Sequence, residues 1–142
     1  MRHSRTYASA AFGVVLALGQ VGRGVASSSP FDGVWSVQID CPTVGDVEGY
    51  SWRFQAEVSS GFLSGLYRSP TSSAVGHITG RIRADGGALL MMFGRTGLQQ
   101  RAVGHDRPGT PFGYTVDAHF DASGGSGKRN EQRPCALVFN RA

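Results

Sequence analysis

Apolar and polar residues alternate along most of the chain beyond residue 30, with a period of two. The clearest runs cover residues 35–41 and 50–58, where every second residue is apolar. This alternation is typical of a β-strand with one buried face and one exposed face. Weaker runs of the same kind cover residues 62–68, 77–83, 88–93, 98–105, 112–120 and 135–140. The pattern predicts an all-β domain of eight strands.

Turn-forming residues separate several of these runs. Ser59-Ser60-Gly61 stands between the second and third predicted strands, and Asp85-Gly86 stands between the fourth and fifth. Both are typical of tight hairpins that join antiparallel neighbours. Glycine makes up 21 of the 142 residues, as expected where many tight turns need positive φ angles. The predicted connectivity is an antiparallel meander.

The first 26 residues have the organisation of an export signal. Arg2 and Arg5 precede an uncharged apolar stretch at 7–18, and Gly24-Val25-Ala26 supplies the small residues of a cleavage site. The apolar stretch is shorter than the roughly 20 residues that a membrane-spanning helix needs. We therefore expect cleavage after Ala26 and a single domain over residues 27–142. The expected location is periplasmic or secreted, without stable membrane insertion.

Much of the net positive charge lies within that signal. The formal net charge is +4 at pH 7, and removal of Arg2, Arg5 and Arg23 leaves +1 on the mature domain. The remaining arginines are scattered among acidic residues. Because nucleic-acid binding needs a clustered basic surface, the sequence argues against a nucleic acid as partner.

Cys41 and Cys135 are the two cysteines of the chain. In an exported protein such a pair usually forms a disulfide, because the compartment is oxidising. Cys41 ends the first predicted strand and Cys135 begins the last, so the bond favours antiparallel pairing of these two strands. The predicted fold is a small up-and-down barrel that closes on itself. An open two-sheet sandwich pinned by the same disulfide is the alternative.

Two segments carry a resemblance to other proteins, FDGVWSV at 31–37 and RPCALVF at 133–139. Together with residues 80–82, Asp85-Gly86 and residues 108–111, they make the mature chain similar to a family of uncharacterised exported bacterial β-domains. The resemblance implies export, the disulfide and β architecture. It implies no activity.

Gly33-Val34-Trp35 and Arg141 carry a looser resemblance to the calycin barrels, the lipocalins and avidins. In those families an arginine of the last strand often stacks on the tryptophan of the first, so the resemblance implies a contact between Trp35 and Arg141. The chain has no tryptophan after Trp52 to wall an avidin-like pocket, and biotin is not implied. In a purely structural role, Trp35 fills one end of the core.

The interior of the barrel is either filled by side chains or hollow enough for one small ligand. A filled core is favoured by the aromatic side chains that the alternation directs inward, namely Trp35, Tyr50, Trp52, Phe54, Phe62, Phe112, Tyr114, Phe120 and Phe139. The alternative is a pocket for a small apolar ligand beside Gly65 and Gly80. Its candidate lining residues are Trp35, Tyr50, Trp52 and Tyr114.

Catalytic and metal-binding patterns are sparse. Asp117 and His119 lie two residues apart on one predicted strand, so their side chains share a face. This arrangement could serve as the acid-base pair of a weak hydrolase. His77, His105 and His119 would form a zinc site only if three strands brought them together. We expect no metal, no cofactor and no enzyme activity.

Loop residues are the remaining candidates for function. Segment 121–133 joins a Ser/Gly-rich tip to Lys128 and Arg129, and segment 104–111 carries Arg107. In exposed loops, these three cations would contact acidic groups of a partner. The first expectation for function is therefore a noncatalytic domain that binds a protein or an envelope component. Binding of a small apolar ligand and a weak hydrolase activity are the alternatives.

Overall fold

The computed structural model describes residues 27–142, which form a closed barrel of eight antiparallel strands. The predicted export signal at residues 1–26 lies outside the described residues. Each strand pairs with its neighbour in the sequence, as predicted for a meander. In chain order the strands are β1 (Gly33–Cys41), β2 (Tyr50–Ser59), β3 (Phe62–Arg68), β4 (Val75–Arg81), β5 (Gly87–Arg95), β6 (Pro111–Phe120), β7 (Gly124–Arg129) and β8 (Ala136–Arg141).

Pairing of β8 with β1 closes the barrel. The register runs from Trp35 opposite Arg141 to Asp40 opposite Ala136. The disulfide lies directly beyond the last of these pairs, and the Sγ atoms of its two cysteines, Cys41 and Cys135, are 2.03 Å apart. The closed barrel and the disulfide are thus confirmed, and the open sandwich is excluded.

Both predicted hairpins are present. Ser60 and Gly61 adopt φ angles of 50° and 73° between β2 and β3, as a two-residue turn of type I′ requires. Asp85-Gly86 lies between β4 and β5, where the Gly86 N–H donates a hydrogen bond to the Arg83 carbonyl oxygen at 2.9 Å. These turns join β2 to β3 and β4 to β5 as antiparallel neighbours.

The predicted strand at 98–105 is wrong. These residues belong to the connection between β5 and β6, which contains two 3-10 turns at Gln99–Arg101 and Val103–His105. Gly104 has a φ of 75°, a left-handed conformation that interrupts an extended strand. Within residues 27–142 no helix is long and apolar enough to cross a membrane.

The strand that the sequence pattern did not predict is β7, which lies in the segment with the Ser/Gly-rich tip. It pairs with β6 on one side and with β8 on the other. A Cβ atom at Gly125 would lie 2.9 Å from the Phe120 side chain, and one at Gly127 would lie 2.8 Å from the Val116 side chain. Large side chains of β6 therefore occupy the space that β7 leaves free. Because its inward residues are Gly125, Gly127 and Arg129, the strand has no apolar alternation by which it could be recognised.

Aromatic side chains fill one end of the barrel, which we call the closed end. Trp35 is fully buried, and its ring meets the ring of Phe120 edge-on at 5.5 Å between centroids. Phe139 packs on Phe120 at 4.7 Å. The Trp35 Nε1–H donates a hydrogen bond to the carbonyl oxygen of Phe31 at 2.9 Å. Trp35 is therefore a core residue with its polar atom satisfied.

The expectation that Phe62 points inward is wrong. Its side chain is 44 % exposed, whereas the next residue, Leu63, is fully buried. The turn before β3 sets the register of this strand, and a shift of one residue exchanges the two faces of a strand.

Arg141 covers the closed end from outside. Its guanidinium carbon lies 4.8 Å from the centre of the Trp35 ring, which is the contact that the calycin resemblance implies. The same guanidinium donates hydrogen bonds to the carbonyl oxygens of Pro30, Asp32 and Ala122 at 2.7, 2.9 and 3.0 Å. These bonds tie the segment before β1 to the last strand.

Candidate functional site

The other end of the barrel is open and contains a cavity of about 470 Å³, which we call the mouth pocket. The connections β1–β2, β3–β4, β5–β6 and β7–β8 all lie at this end. The barrel is therefore neither filled throughout nor hollow throughout. Aromatic side chains fill the closed end, and a pocket of ligand size occupies the open end.

One side of the mouth pocket is an aromatic wall formed by Tyr50, Trp52, Tyr67 and Phe112. The Trp52 and Tyr67 rings are stacked, with centroids 4.2 Å apart and planes inclined by 16°. Tyr50 and Phe112 flank Trp52 at 5.0 and 6.2 Å. Gly76 makes room for this arrangement, because a Cβ atom there would lie 2.8 Å from the Trp52 ring. Residues of β2, β3 and β6 thus present flat apolar surfaces to the cavity.

Arg129 is the last residue of β7, lines the mouth pocket and is only 7 % exposed. The expectation that it lies in an exposed loop is wrong, because β7 is a strand and residue 129 is on its inward face. Its guanidinium carbon sits 3.9 Å from the centre of the Tyr114 ring. Its Nε donates a hydrogen bond to the Glu131 carbonyl oxygen at 2.7 Å, and its Nη2 donates to the Gln132 side-chain oxygen.

Arg133 is also buried, with 3 % exposure, and it joins three connections at the open end. Its Nη1 donates to the carbonyl oxygens of Pro42 and Glu48 at 3.2 and 3.0 Å. Its Nη2 donates to the carbonyl oxygen of Arg101. The guanidinium carbon lies 5.2 Å from the centre of the Tyr50 ring. Arg133 therefore orders the rim and also lines the pocket.

Tyr50, Tyr114, Arg129 and Arg133 form one group, which we call the Tyr–Arg cluster. Burial raises the pKa of the Tyr50 and Tyr114 hydroxyls, so both are protonated at neutral pH. Burial lowers the pKa of the Arg129 guanidinium, because a charged group loses solvation there. Among the described residues, the buried Arg133 Nε has no hydrogen-bond partner, and the Tyr114 hydroxyl interacts only with the Tyr50 side chain, which contributes to its raised pKa. The cluster thus holds an unused donor beside the cavity.

The structure brings three of the four candidate lining residues to the mouth pocket and places the fourth elsewhere. Tyr50, Trp52 and Tyr114 line the mouth pocket. Trp35 does not, because it fills the closed end. Gly65 and Gly80 are not among the lining residues either, and Gly65 packs against the side chains of β2.

Sequence reasoning missed Tyr67 and Arg133 as lining residues. Tyr67 shares the inward face of β3 with Leu63, so the correct register of that strand would have revealed it. Arg133 follows no alternation. Its position depends on carbonyl groups from connections that are distant in the chain.

Asp117 and His119 share the outward face of β6, as predicted, and both are exposed. They lie in a shallow surface depression together with Ser126 and Lys128 of β7. No group of three His, Cys, Asp or Glu side chains within residues 27–142 is arranged to hold a metal ion. The three histidines are separate: His77 stacks on Phe93 at 5.3 Å, and His105 pairs with Asp46.

Arg107 and Lys128 are exposed, as predicted, although Lys128 belongs to β7 rather than to a loop. The outer surface also carries an apolar strip on β3 and β5, formed by Leu66, Leu89, Met91 and Phe93, each at least 39 % exposed. Leu66, His77 and Phe93 lie side by side on three adjacent strands. This outer apolar strip is a further surface for contact.

His105 and Asp46 link the β5–β6 and β1–β2 connections at the rim, with 2.9 Å between Nε2 and Oδ2. The hydrogen bond to Asp46 raises the pKa of His105 above 6.5, and the same bond lowers the pKa of Asp46 below 3.8. The folded pKa of His105 is raised, so its contribution to stability is complete below pH 6.5 and is lost as pH rises through the raised value. The contribution of Asp46 is present above pH 3.8 and is lost as pH falls through its lowered value.

An NMR titration of the His105 ring tests this link. In the native protein the pKa of His105 will lie above 6.5, and in Asp46→Asn it will fall towards 6.5 because the carboxylate is gone. The exposed Asp117→Asn on β6 is the control and will leave the value unchanged. Equal pKa values in the native protein and Asp46→Asn would contradict the pairing.

The comparisons with known proteins identified no relative of this chain. No protein-family model matches the chain, and neither the curated proteins nor the solved structures contain a significant match. The function is therefore inferred from the chemistry of the pocket.

Proposed function

We propose that this protein is a noncatalytic binding protein that holds a small, mainly apolar molecule in the mouth pocket. The observation that carries the proposal is the cavity of about 470 Å³ at one end of an otherwise filled barrel. Its size lies within the range of roughly 300–1,000 Å³ that is typical of small-molecule sites. An eight-stranded barrel is also wide enough to hold one small ligand.

The aromatic wall supports the same function. The faces of Tyr50, Trp52, Tyr67 and Phe112 border the cavity. Covering such surface with an apolar molecule is favourable by about 25 cal/mol for each Å² removed from water. The polar side chains of the connections, including those of Ser69, Thr71 and Ser72, surround the entrance. The cavity thus combines aromatic faces with many polar groups, which favours a ligand with an apolar ring at one end and a polar group at the other.

The same proposal places the protein outside the cytoplasm. The predicted export signal at residues 1–26 supports this location, and the disulfide between Cys41 and Cys135 is stable in an oxidising compartment. A noncatalytic role is supported by the positions of Asp117 and His119, which are exposed on the outer face of β6, away from the mouth pocket. We propose that the protein binds its ligand in the periplasm or in the medium.

Titration with the neutral fluorescent probe N-phenyl-1-naphthylamine tests the proposal. The emission of the probe should rise and saturate at one molecule per protein. Trp52→Leu should weaken binding about tenfold, because the largest side chain of the aromatic wall is lost. Val103→Trp places a large ring at the rim, where residue 103 lines the pocket and is 36 % exposed. It should block the pocket without disturbing the core.

Phe62→Leu is the matched control, since Phe62 is an exposed aromatic residue that does not line the mouth pocket. It should bind the probe as the native protein does. Absence of saturable binding to the native protein would reject the proposal. So would native affinity in both Trp52→Leu and Val103→Trp.

Binding of a protein or envelope partner is the second candidate function. The outer apolar strip favours this function. Partner proteins commonly cover exposed apolar side chains that lie together on one face of a sheet. Cross-linking in intact envelopes would capture such a partner. Phe93→Lys would abolish capture if the strip is the contact, and Arg107→Glu with Lys128→Glu would abolish it if the exposed cations are.

A further inference from the structure

The two guanidinium groups of the Tyr–Arg cluster lack a carboxylate partner. The ion pairs found among residues 27–142 are Arg83–Asp85 and His105–Asp46, and neither involves Arg129 or Arg133. Both arginines are instead held by neutral acceptors, mainly backbone carbonyl groups. A buried charge without a counter-ion is unfavourable, and proteins normally pair it. The mouth pocket therefore carries two buried positive charges, Arg129 and Arg133, that are not paired with a carboxylate.

Nearby acidic residues do not supply that counter-ion. The Glu131 carboxylate accepts hydrogen bonds from the Thr115 N–H and hydroxyl at 2.8 and 2.7 Å, which holds it on the outside of β6. Asp106 lines the mouth pocket but is exposed at the rim. The exposed Glu131 carboxylate attracts the Arg129 guanidinium from a distance, but neither acidic residue forms an ion pair with Arg129 or Arg133. The inner part of the pocket is thus electropositive.

Unused hydrogen-bond donors point to the same conclusion. Arg133 Nε is buried and lacks a partner among the described residues, the Tyr114 hydroxyl has only the Tyr50 side chain, and both groups belong to side chains that line the cavity. Both side chains are 3 % exposed. Nη1 of Arg129 has only the Cys135 sulfur as acceptor, at 3.8 Å. Buried donors normally have acceptors, so Arg133 Nε above all calls for an acceptor that the described residues do not provide.

We propose that the ligand of the mouth pocket is a small apolar carboxylate, whose charged end is bound by Arg129, Arg133 and the Tyr114 hydroxyl. This inference rests on the proposed function and names the chemical class of its ligand. A carboxylate supplies the missing counter-ion, and its two oxygens match the paired donors of a guanidinium. The apolar body of the ligand then lies along the aromatic wall. Binding pairs the two buried positive charges with an opposite charge.

A matched pair of probes tests the charge of the ligand. Isothermal calorimetry with 2-naphthoate and with neutral 2-naphthylmethanol compares the same ring system with and without the carboxylate. The native protein should bind 2-naphthoate at least tenfold more tightly. Arg129→Gln should weaken binding of 2-naphthoate by about tenfold or more and change binding of 2-naphthylmethanol by less than about threefold. Arg129→Lys, which keeps the charge, should recover part of the preference.

Arg107→Gln is the control for overall charge, because Arg107 is exposed in the β5–β6 connection and does not line the pocket. It should leave the affinities of both probes unchanged. Tyr114→Phe removes a single hydroxyl and keeps the ring in the core. It provides a second test should Arg129→Gln fold poorly, and it should lower the affinity for 2-naphthoate alone.

The outcomes separate the two proposals. Tighter binding of 2-naphthoate that depends on Arg129 or on the Tyr114 hydroxyl supports the carboxylate ligand. Equal binding of the two probes, or equal losses in Arg107→Gln and Arg129→Gln, overturns the carboxylate inference and leaves the apolar pocket standing. Failure of both probes and of N-phenyl-1-naphthylamine to bind overturns the proposed function as well.

Discussion

Replacing both cysteines by alanine will lower the free energy of unfolding by roughly 4–5 kcal/mol. The bond joins Cys41 to Cys135, residues separated by 94 positions, so it restricts most of the unfolded domain. A loop of this length removes a large amount of conformational entropy from the unfolded state. Small domains are stable by only about 5–15 kcal/mol, so the loss is a large fraction of the total.

Urea unfolding of the native protein and of Cys41→Ala/Cys135→Ala, each with and without a reductant, measures this effect. The reductant should lower the midpoint of the native protein towards that of the double variant. It should leave the double variant unchanged, which is the internal control. A difference below about 1 kcal/mol between oxidised native protein and double variant would show that the disulfide does not stabilise the barrel in this way.

Trp35→Ala is the second large effect, with an expected loss of about 3–5 kcal/mol. The side chain is fully buried at the closed end and packs edge-on against Phe120. The substitution leaves a cavity, removes the hydrogen bond to the Phe31 carbonyl group and deprives Arg141 of the ring beneath it.

The matched control for Trp35→Ala is Phe62→Ala, an aromatic truncation at the outer surface of the same end. Its unfolding midpoint should change little, because the ring is 44 % exposed and removal leaves no internal cavity. Under conditions where Trp35→Ala remains folded, the Trp35→Ala protein should still bind N-phenyl-1-naphthylamine, because the mouth pocket is at the other end of the barrel. Equal stability losses in the two variants would contradict the assignment of Trp35 to the core.

The sequence is sufficient to predict the barrel but not every strand in it. Alternation identifies β1 and β2 because their inward positions carry large apolar residues. It fails for β7, where Gly125 and Gly127 face the interior. The size of an inward residue is set by the opposing side chains, here those of Phe120 and Val116, and this relation between strands is not visible in a local pattern.

The candidate site is likewise only partly predictable from the sequence. Alternation places Tyr50, Trp52 and Tyr114 inward, and all three line the mouth pocket. It does not reveal that aromatic side chains leave one end of the barrel unfilled. It also does not reveal the burial of Arg129 and Arg133, because arginine is usually exposed. Their positions depend on β7 and on carbonyl groups contributed by separate connections.

The two tryptophans give the most direct test of the central claim that the open end of the barrel binds the ligand. In a ¹⁵N NMR spectrum each indole N–H gives its own signal, and Trp52→Phe assigns them. Trp52 lines the mouth pocket, whereas Trp35 lies at the closed end with its N–H bonded to the Phe31 carbonyl group. Addition of 2-naphthoate should shift the Trp52 signal in a saturable manner and leave the Trp35 signal in place. A spectrum in which neither signal moves at high ligand concentration, or in which Trp35 moves and Trp52 does not, would contradict the account.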